Sequence, residues 1–120
     1  MPDNTLLVIF RRAPYGHGLA RAGYDLALAA AAFDVPVSLL YMDDGVWQLL
    51  PDQAPAGIGA KNIANTQDSL ALYDIETLYA ESASLAARGL ERKDLRDGIT
   101  LVDPADMGEF FARFRQVVSF

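Results

Sequence analysis

Cysteine is absent from the 120-residue sequence, and histidine occurs only once. Without a thiol, the chain can form neither a disulfide nor a thiolate metal site, and it can carry no covalent persulfide of its own. With a single histidine, a first-row transition-metal site would have to be built mostly from carboxylates. The sequence therefore predicts no metal centre and no thiol chemistry in this chain.

Basic residues are also scarce. The sequence has ten Lys and Arg against sixteen Asp and Glu, which gives a formal net charge of -6. A net anionic surface repels phosphate backbones unless its cations cluster on one face. We therefore expect no direct, stable binding of nucleic acid.

Long hydrophobic runs are missing as well. Residues 1–4 carry no basic segment of the kind that opens a signal peptide, and the apolar stretch Leu6–Phe10 is too short for a signal-peptide core or a membrane span. We expect a soluble, cytoplasmic protein that does not associate with membranes.

Apolar side chains nevertheless make up 52% of the sequence. A chain of this length buries about two-thirds of its unfolded surface, and this apolar content is enough to fill that interior. Length and composition together predict one domain over residues 1–120.

Strand-like and helix-like apolar patterns alternate along the chain. Strands are predicted at Leu6–Phe10, Val37–Met42, Ile75–Ala80, Gly98–Val102 and Gln116–Phe120. Helices are predicted at Leu19–Phe33, Lys61–Leu72, Ser84–Arg88 and after Asp103-Pro104, with a short helical turn at Val46–Leu50. The helical spacing places Phe33 and Leu72 among the inward-facing positions. The alternation favours a three-layer α/β/α sandwich of flavodoxin-like architecture around a mainly parallel five-stranded sheet.

In such sheets, ligands and partners usually meet the carboxyl ends of the strands. Histidine titrates near neutrality, which makes His17 the default general base, but no neighbouring Ser or Cys is present for it to activate. A solvated or interface histidine is the simpler interpretation. Asp43 and Asp44 are expected to stabilise the turn and the helical segment that follows them. The side chains predicted at these strand ends are Arg11, Arg12, His17, Asp43, Asp44, Glu81 and Ser82.

The loop after the first strand lacks the patterns of phosphate-binding loops. Gly16 and Gly18 begin a G-x-G sequence, but Arg21 stands at the third glycine position of G-x-G-x-x-G, and no G-K-[ST] follows. We predict no nucleotide, flavin or other cofactor, and no catalytic residue in this chain.

A cluster of large apolar residues follows the second strand, bracketed by Gly45 and Pro51. One helical turn cannot bury all of them, and Trp is among the residues most enriched at interface hot spots. The alternative is that Trp47 closes the end of the core. The residues of the candidate partner interface are Val46, Trp47, Leu49, Leu50 and Tyr73.

Several longer stretches occur together in a recognisable order. They are A-P-Y-G at 13–16 with A-G-Y-D at 22–25, D-G-V-W-Q-L-L-P at 44–51, L-Y-D-I-E at 72–76, and S-L at 84–85 with R-G-L at 88–90. In this combination the chain resembles the TusC/DsrF family of DsrE/F-like proteins. The resemblance implies a DsrE/F-like fold and a place in a TusBCD-type sulfur-relay complex, a heterohexamer of three homologous subunits. Such complexes pass persulfide sulfur toward 2-thiolation of the wobble uridine of certain tRNAs.

The resemblance also implies that the catalytic cysteine belongs to a TusD-like sibling, near the carboxyl end of its third strand. The comparable region here reads Ala80-Glu81-Ser82. Neither a carboxylate nor a hydroxyl can form a persulfide, so a non-catalytic subunit is expected, with TusB-like and TusD-like partners or a homo-oligomer when isolated. Three alternatives remain open: a standalone small-ligand or nucleotide-binding protein, a homomeric regulatory module, and a DsrF-like role in sulfur oxidation.

Overall fold

A computed structural model describes residues 5–12, 19–50, 70–73, 75, 78–96 and 98–120. Within these ranges, five strands form one sheet in the order β4-β3-β2-β1-β5, and every neighbouring pair is parallel. The strands are β1 (Leu6–Phe10), β2 (Val37–Tyr41), β3 (Leu78–Glu81), β4 (Ile99–Val102) and β5 (Gln116–Ser119). The predicted parallel α/β fold is confirmed.

The α-helices among the described residues are short, apart from the first. They are α1 (Leu19–Ala32), α2 (Ser82–Ala87) and α3 (Met107–Ala112). The same part of the chain contains 3-10 helices at Asp43–Leu49, Leu70–Tyr73, Arg92–Asp94 and Pro104–Asp106. None of the helices in the described ranges is long and apolar enough to cross a membrane.

The central strand β1 is buried on both faces, which is why its sequence is an unbroken apolar run. Its alternate side chains enter two cores. Leu6, Val8 and Phe10 pack with Tyr24 and Ala27 of α1. On the other face, a smaller core joins Leu7 and Ile9 of β1 to Leu40, Val102 and Phe110.

The two cores define the path of the chain. The connections from β1 through β4 place α1, the Asp43–Leu49 helix and α2 over one face, whereas α3 crosses the opposite face on the way from β4 back to β5. Because right-handed crossovers that run in opposite directions along a sheet cover opposite faces, this arrangement yields the predicted three layers. The connection from β4 to β5 therefore crosses the sheet in the direction opposite to that of the three earlier connections.

Two predicted core positions are wrong. Phe33 is 83% exposed because α1 ends at Ala32 and the chain turns through Asp34, whose φ of 63° is left-handed. Leu72 is 84% exposed. It lies in a short 3-10 helix, where side chains three residues apart share a face. Leu72 is only two residues from the buried Leu70 and therefore lies on a different face.

Several predicted boundaries also shift. Met42 follows β2 instead of belonging to it, and β3 begins at Leu78, with residues 76–77 lying outside the described ranges. Most of the helix predicted at Lys61–Leu72 falls outside those ranges too. Asp43 and Asp44 lie inside the first turn of the 3-10 helix, not in a turn before it.

Candidate functional site at the carboxyl ends of the strands

The carboxyl ends of β1 and β2 are joined by an ion pair between Arg11 and Asp43, with Nε and Oδ2 2.8 Å apart. Both side chains are about half exposed, at 53% and 43%. Exposed ion pairs of this kind contribute at most about 1 kcal/mol to stability. The pair therefore positions the two side chains more than it holds the fold together.

Asp43 has a constrained backbone. Its φ of 51° lies in the left-handed region, which non-glycine residues seldom adopt, although Asp tolerates it better than most. Its N–H group donates a 2.8 Å hydrogen bond to Ser84 Oγ. The Ser84 hydroxyl in turn donates to a carboxylate oxygen of Glu81. The end of β2 is thus tied to the end of β3.

A second arginine links the same segments from the helical side. Arg88, which caps the carboxyl end of α2, donates from Nη2 and Nε to Asp44 Oδ1 over 2.9 and 3.1 Å. Its Nη1 also donates to the carbonyl oxygen of Ser84 over 3.0 Å. Asp44 therefore fixes α2 beside the Asp43–Leu49 helix.

The loops after β3 and β4 are joined by one further hydrogen bond. The hydroxyl group of Ser82 donates to Asp103 Oδ1 over 2.6 Å. The complete set, called here the strand-end cluster, consists of Arg11, Asp43, Asp44, Glu81, Ser82, Ser84, Arg88 and Asp103.

Below the strand-end cluster lies a buried polar chain. Tyr24 donates to Gln48 Oε1 over 2.7 Å, and the Tyr24 and Tyr41 hydroxyl groups are also 2.7 Å apart. Since Tyr24 has one proton and gives it to Gln48, Tyr41 must donate to Tyr24. Gln48 Nε2 then donates to the carbonyl oxygen of Arg12 over 3.0 Å. Phe10 stacks on both tyrosine rings, with centroid separations of 4.3 and 5.2 Å.

The predicted strand-end residues fall into three groups. Arg11, Asp43 and Asp44 come together with Glu81 and Ser82 at one edge of the sheet. Arg12 lies beside them, with an exposed side chain. His17 is outside the described residues. The Asp43 and Asp44 side chains do not cap the 3-10 helix, since no side-chain capping bond forms at its amino end; they pair with arginines instead.

The structure places the five residues of the candidate partner interface in three different environments. Val46 and Leu49 are fully buried in the larger core, because the Asp43–Leu49 helix lies flat over the ends of β1 and β2. Trp47 and Leu50 are half-buried. Tyr73 is 46% exposed but lines a cleft with Val35, Pro36 and Val37, at the amino end of β2. The structure thus separates Tyr73 from Trp47 by the length of the strand.

The polar side chains of the strand-end cluster bind mainly one another. Ser84 is only 4% exposed and uses its oxygen both to accept from Asp43 and to donate to Glu81. No three acidic or histidine side chains converge as metal ligands within the part of the chain that the structure describes. The cluster joins four loops through ion pairs and hydrogen bonds.

Sequence reasoning missed the buried polar chain and the role of Ser84. The position of Gln48 could have predicted the polar chain. It is the one amide inside the apolar run V-W-Q-L-L, and it needs buried hydrogen-bond partners if the run is in the core. The spacing of Ser84 and Arg88 is weaker evidence for a contact, since i and i+4 residues share one face of a helix. Nothing in the sequence around Tyr24 and Tyr41 predicts that their hydroxyl groups bind each other.

The chain is a three-layer α/β protein with a parallel sheet, and polar side chains link the loops at the carboxyl ends of its strands. A model of the DsrE/DsrF-like family matches residues 4–120. The chain belongs to the DsrE/DsrF-like family.

Curated relatives match over most of the chain. A protein named TusC homolog from Pseudomonas aeruginosa is 35% identical over 117 residues, covering 98% of each chain. One from Vibrio vulnificus is 38% identical over 117 residues, or 98% of this chain and 99% of that protein. The intracellular sulfur oxidation protein DsrF of Allochromatium vinosum is 44% identical over 85 residues, covering 71% of this chain and 62% of DsrF.

Solved structures support the fold. The ychN protein of E. coli superposes with a TM-score of 0.77 at 19% identity, over 98% of this chain and 100% of that one. A protein of unknown function from Methanobacterium thermoautotrophicum gives a TM-score of 0.75 at 15% identity, with the same coverage.

Proposed function

We propose that this chain is a non-catalytic subunit of a cytoplasmic, TusBCD-type sulfur-relay complex that supports persulfide transfer toward 2-thiouridine at the tRNA wobble position. The names of the TusC homologues and DsrF support a sulfur-relay role in this family. The observation that carries the non-catalytic role is the chemistry at the end of β3, where Glu81 and Ser82 are hydrogen-bonded in a chain without cysteine.

The side chains at the end of β3 are already occupied. Glu81 accepts from Ser84, and Ser82 donates to Asp103. A relay step needs a thiolate to attack a persulfide and to accept its outer sulfur, and neither a carboxylate nor a hydroxyl can do this. A cysteine-bearing TusD-like subunit must therefore supply the carrier, with a TusB-like subunit completing the assembly.

This chain would then contribute a preorganised surface to which the sibling subunits bind. The strand-end cluster ties together the loops that follow β1, β2, β3 and β4, so the edge of the sheet is held in one conformation. Preorganisation of this kind lowers the entropy cost of association. Half-buried Trp47 and Leu50 lie in the segment held by the cluster and supply apolar contact area.

Co-expression tests the proposal. A tagged form of this chain, produced with the TusB-like and TusD-like proteins of the same genome, should retain both through gel filtration as one hetero-oligomer. An untagged chain that elutes as a stable homo-oligomer in the presence of both siblings would contradict the proposal and favour the homomeric module.

Replacing Trp47 with Ala should reduce the yield of co-purified siblings at least tenfold while lowering the melting temperature of the isolated chain by only a few degrees. The reason is that a hot-spot tryptophan contributes mainly to binding, whereas a core tryptophan contributes to folding. Phe33→Ala is the matched control, because Phe33 is an aromatic residue 83% exposed near the amino ends of the strands. A Trp47→Ala chain that melts far lower but still assembles would show that Trp47 closes the core.

RNA contact should reside elsewhere in the pathway. The net charge of -6 gives little electrostatic attraction to a phosphate backbone. In filter-binding titrations at low and moderate salt, we expect no tRNA retention by the isolated chain at micromolar concentration. Micromolar binding that weakens steeply as salt rises would reveal a cationic face and count against a purely scaffolding role.

A DsrF-like role in sulfur oxidation is a second candidate, favoured by the 44% identity to DsrF over 85 residues. The same cysteine-free subunit would then serve a different sulfur acceptor. Deletion of the gene distinguishes the two: loss of 2-thiouridine from tRNA supports the thiolation pathway, and an unchanged tRNA with impaired sulfur oxidation supports the alternative.

A further inference from the structure

A cleft of about 240 Å³ lies at the amino ends of β1, β2 and β5, at the opposite end of the strands from the strand-end cluster. One wall is the turn between α1 and β2, at residues 33–35, and the other is the entry to β5, at residues 115–116. Thr5 lies between the walls, because β1 separates β2 from β5 in the sheet.

The two walls carry opposite charges. Asp34 lies on the first wall and Arg115 on the second, and both residues are exposed. Neighbouring strands are about 4.8 Å apart, so walls on either side of β1 are separated by roughly 10 Å at the level of the sheet. Among the described residues, no side chain forms an ion pair with Asp34 or Arg115. Both charges are therefore available to a partner.

Main-chain hydrogen bonds hold both charged residues in place. The N–H group of Asp34 donates to the carbonyl oxygen of Ala31 over 2.9 Å, which fixes the turn at the end of α1. The N–H group of Arg115 donates to Thr5 Oγ1 over 3.2 Å. Because the backbone of each wall is already ordered, a partner that binds here causes little further loss of backbone entropy.

Apolar side chains continue the surface on the side of the turn. Phe33 lines the cleft and is 83% exposed. Val35 lines both this cleft and a neighbouring one of about 280 Å³, which it shares with Tyr73. Tyr73 is 46% exposed, and the adjacent Leu72 is 84% exposed. Exposed apolar side chains that group on one surface are typical of contact sites between proteins.

We propose that this amino-end surface, formed by the 240 Å³ cleft and its apolar surroundings, is a contact between two copies of this chain. A two-fold axis through the cleft brings each charge to the opposite charge of the other copy, so the surface is complementary to itself. Asp34 of each copy pairs with Arg115 of the other. Phe33 lies beside Asp34 on the turn, so its ring faces the same guanidinium group, which can stack on it.

Sibling subunits bound at the strand-end cluster would leave the amino-end surface free, since the two lie at opposite ends of the strands. The contact also requires no sibling. Its test on the isolated chain is therefore independent of the proposed function.

Sedimentation velocity of the isolated chain tests the contact at concentrations up to about 0.5 mM, where a dimer of micromolar affinity is populated. We expect a reversible monomer–dimer equilibrium. Arg115→Asp should weaken dimerisation by about tenfold or more, because it sets carboxylates against each other on both sides of the axis. Phe33→Ala should weaken it through the lost apolar contact.

Arg92→Asp is the matched control. It makes the same change in net charge at an exposed arginine that does not line the cleft. The dimer dissociation constant of this variant should stay within about twofold of the parent value, because exposed charges outside the contact are screened by salt.

A mixture of two variants distinguishes pairing between copies from an effect within one chain. Asp34→Lys and Arg115→Asp should each be largely monomeric, whereas an equimolar mixture should form heterodimers, because the charges are again opposite across the axis. Since Asp34 has a left-handed φ of 63°, Asp34→Asn is included as a substitution that this backbone tolerates, and it should also weaken the dimer.

Circular dichroism spectra and melting temperatures establish that each variant is folded. A parent chain that stays monomeric over the whole concentration range would overturn the proposal. So would an Arg115→Asp dimer as stable as that of Arg92→Asp, or an equimolar mixture of folded Asp34→Lys and Arg115→Asp chains in which both remain monomeric.

Discussion

Replacing Gly45 with Ala should destabilise the chain by about 3 kcal/mol, because overpacking typically costs about 1–3 kcal/mol and a backbone obstacle places this site at the upper end. A Cβ atom at position 45 would lie 1.9 Å from the carbonyl oxygen of Phe10 and 2.5 Å from its carbonyl carbon. These are main-chain atoms of β1. The same Phe10 oxygen accepts the N–H group of Met42 over 3.0 Å, so it cannot move away without breaking that bond.

Gly108→Ala is the matched control for this prediction. A Cβ atom at Gly108 would meet nothing within 4 Å, and the residue lies inside α3. Replacing this glycine with Ala restricts the unfolded chain without a clash and should stabilise the protein by about 0.4–1 kcal/mol. Urea unfolding of both variants gives the comparison. Equal free energies of unfolding for Gly45→Ala and the parent chain would show that the Asp43–Leu49 helix does not press against β1.

Replacing Gln48 with Leu should cost about 2 kcal/mol, because a buried polar group that loses a hydrogen-bond partner costs about 1–3 kcal/mol. The substitution keeps the apolar volume but removes the acceptor of the Tyr24 hydroxyl proton and the donor to the Arg12 carbonyl oxygen. Since Tyr24 and Gln48 are 0% and 2% exposed, water cannot replace the bond between them without opening the core.

A double-mutant cycle with Tyr24→Phe isolates the bond between the two side chains. Removing both partners leaves fewer unsatisfied groups than removing either alone would suggest, so the double variant should lose less stability than the sum of the single variants. Free energies of unfolding from urea titrations provide the measurement. Strict additivity would mean that Tyr24 and Gln48 do not interact in the folded chain.

The fold was predictable because its central strand is buried on both faces. The five apolar residues of β1 allow no other simple arrangement, and the alternation of strands and helices then favours parallel crossovers. The order of the strands was not predictable in the same way. It depends on which face each connection covers, and α3 crosses the second face although its apolar pattern resembles that of a helix on the first.

The position of the strand-end cluster could be predicted from the sequence, but the ion pairs and hydrogen bonds within it could not. Parallel strands bring their carboxyl ends to one edge, which places Asp43 and Glu81 at the same edge of the sheet. The pairing of Arg11 with Asp43 and of Arg88 with Asp44 depends on a 3-10 helix that local sequence does not specify. Tertiary packing also decided that Val46 enters the core while Trp47 stays half-buried.

The most direct test of the central claim follows the sulfur. The chain is incubated with a cysteine desulfurase and ³⁵S-labelled cysteine, first alone and then within the complex reconstituted with its TusB-like and TusD-like siblings. The subunits are afterwards separated under non-reducing, denaturing conditions. We predict label on a cysteine-bearing sibling, releasable by reductant, and none on this chain in either experiment. Stable, reductant-releasable label on this chain would contradict the claim that it supports sulfur transfer without carrying sulfur.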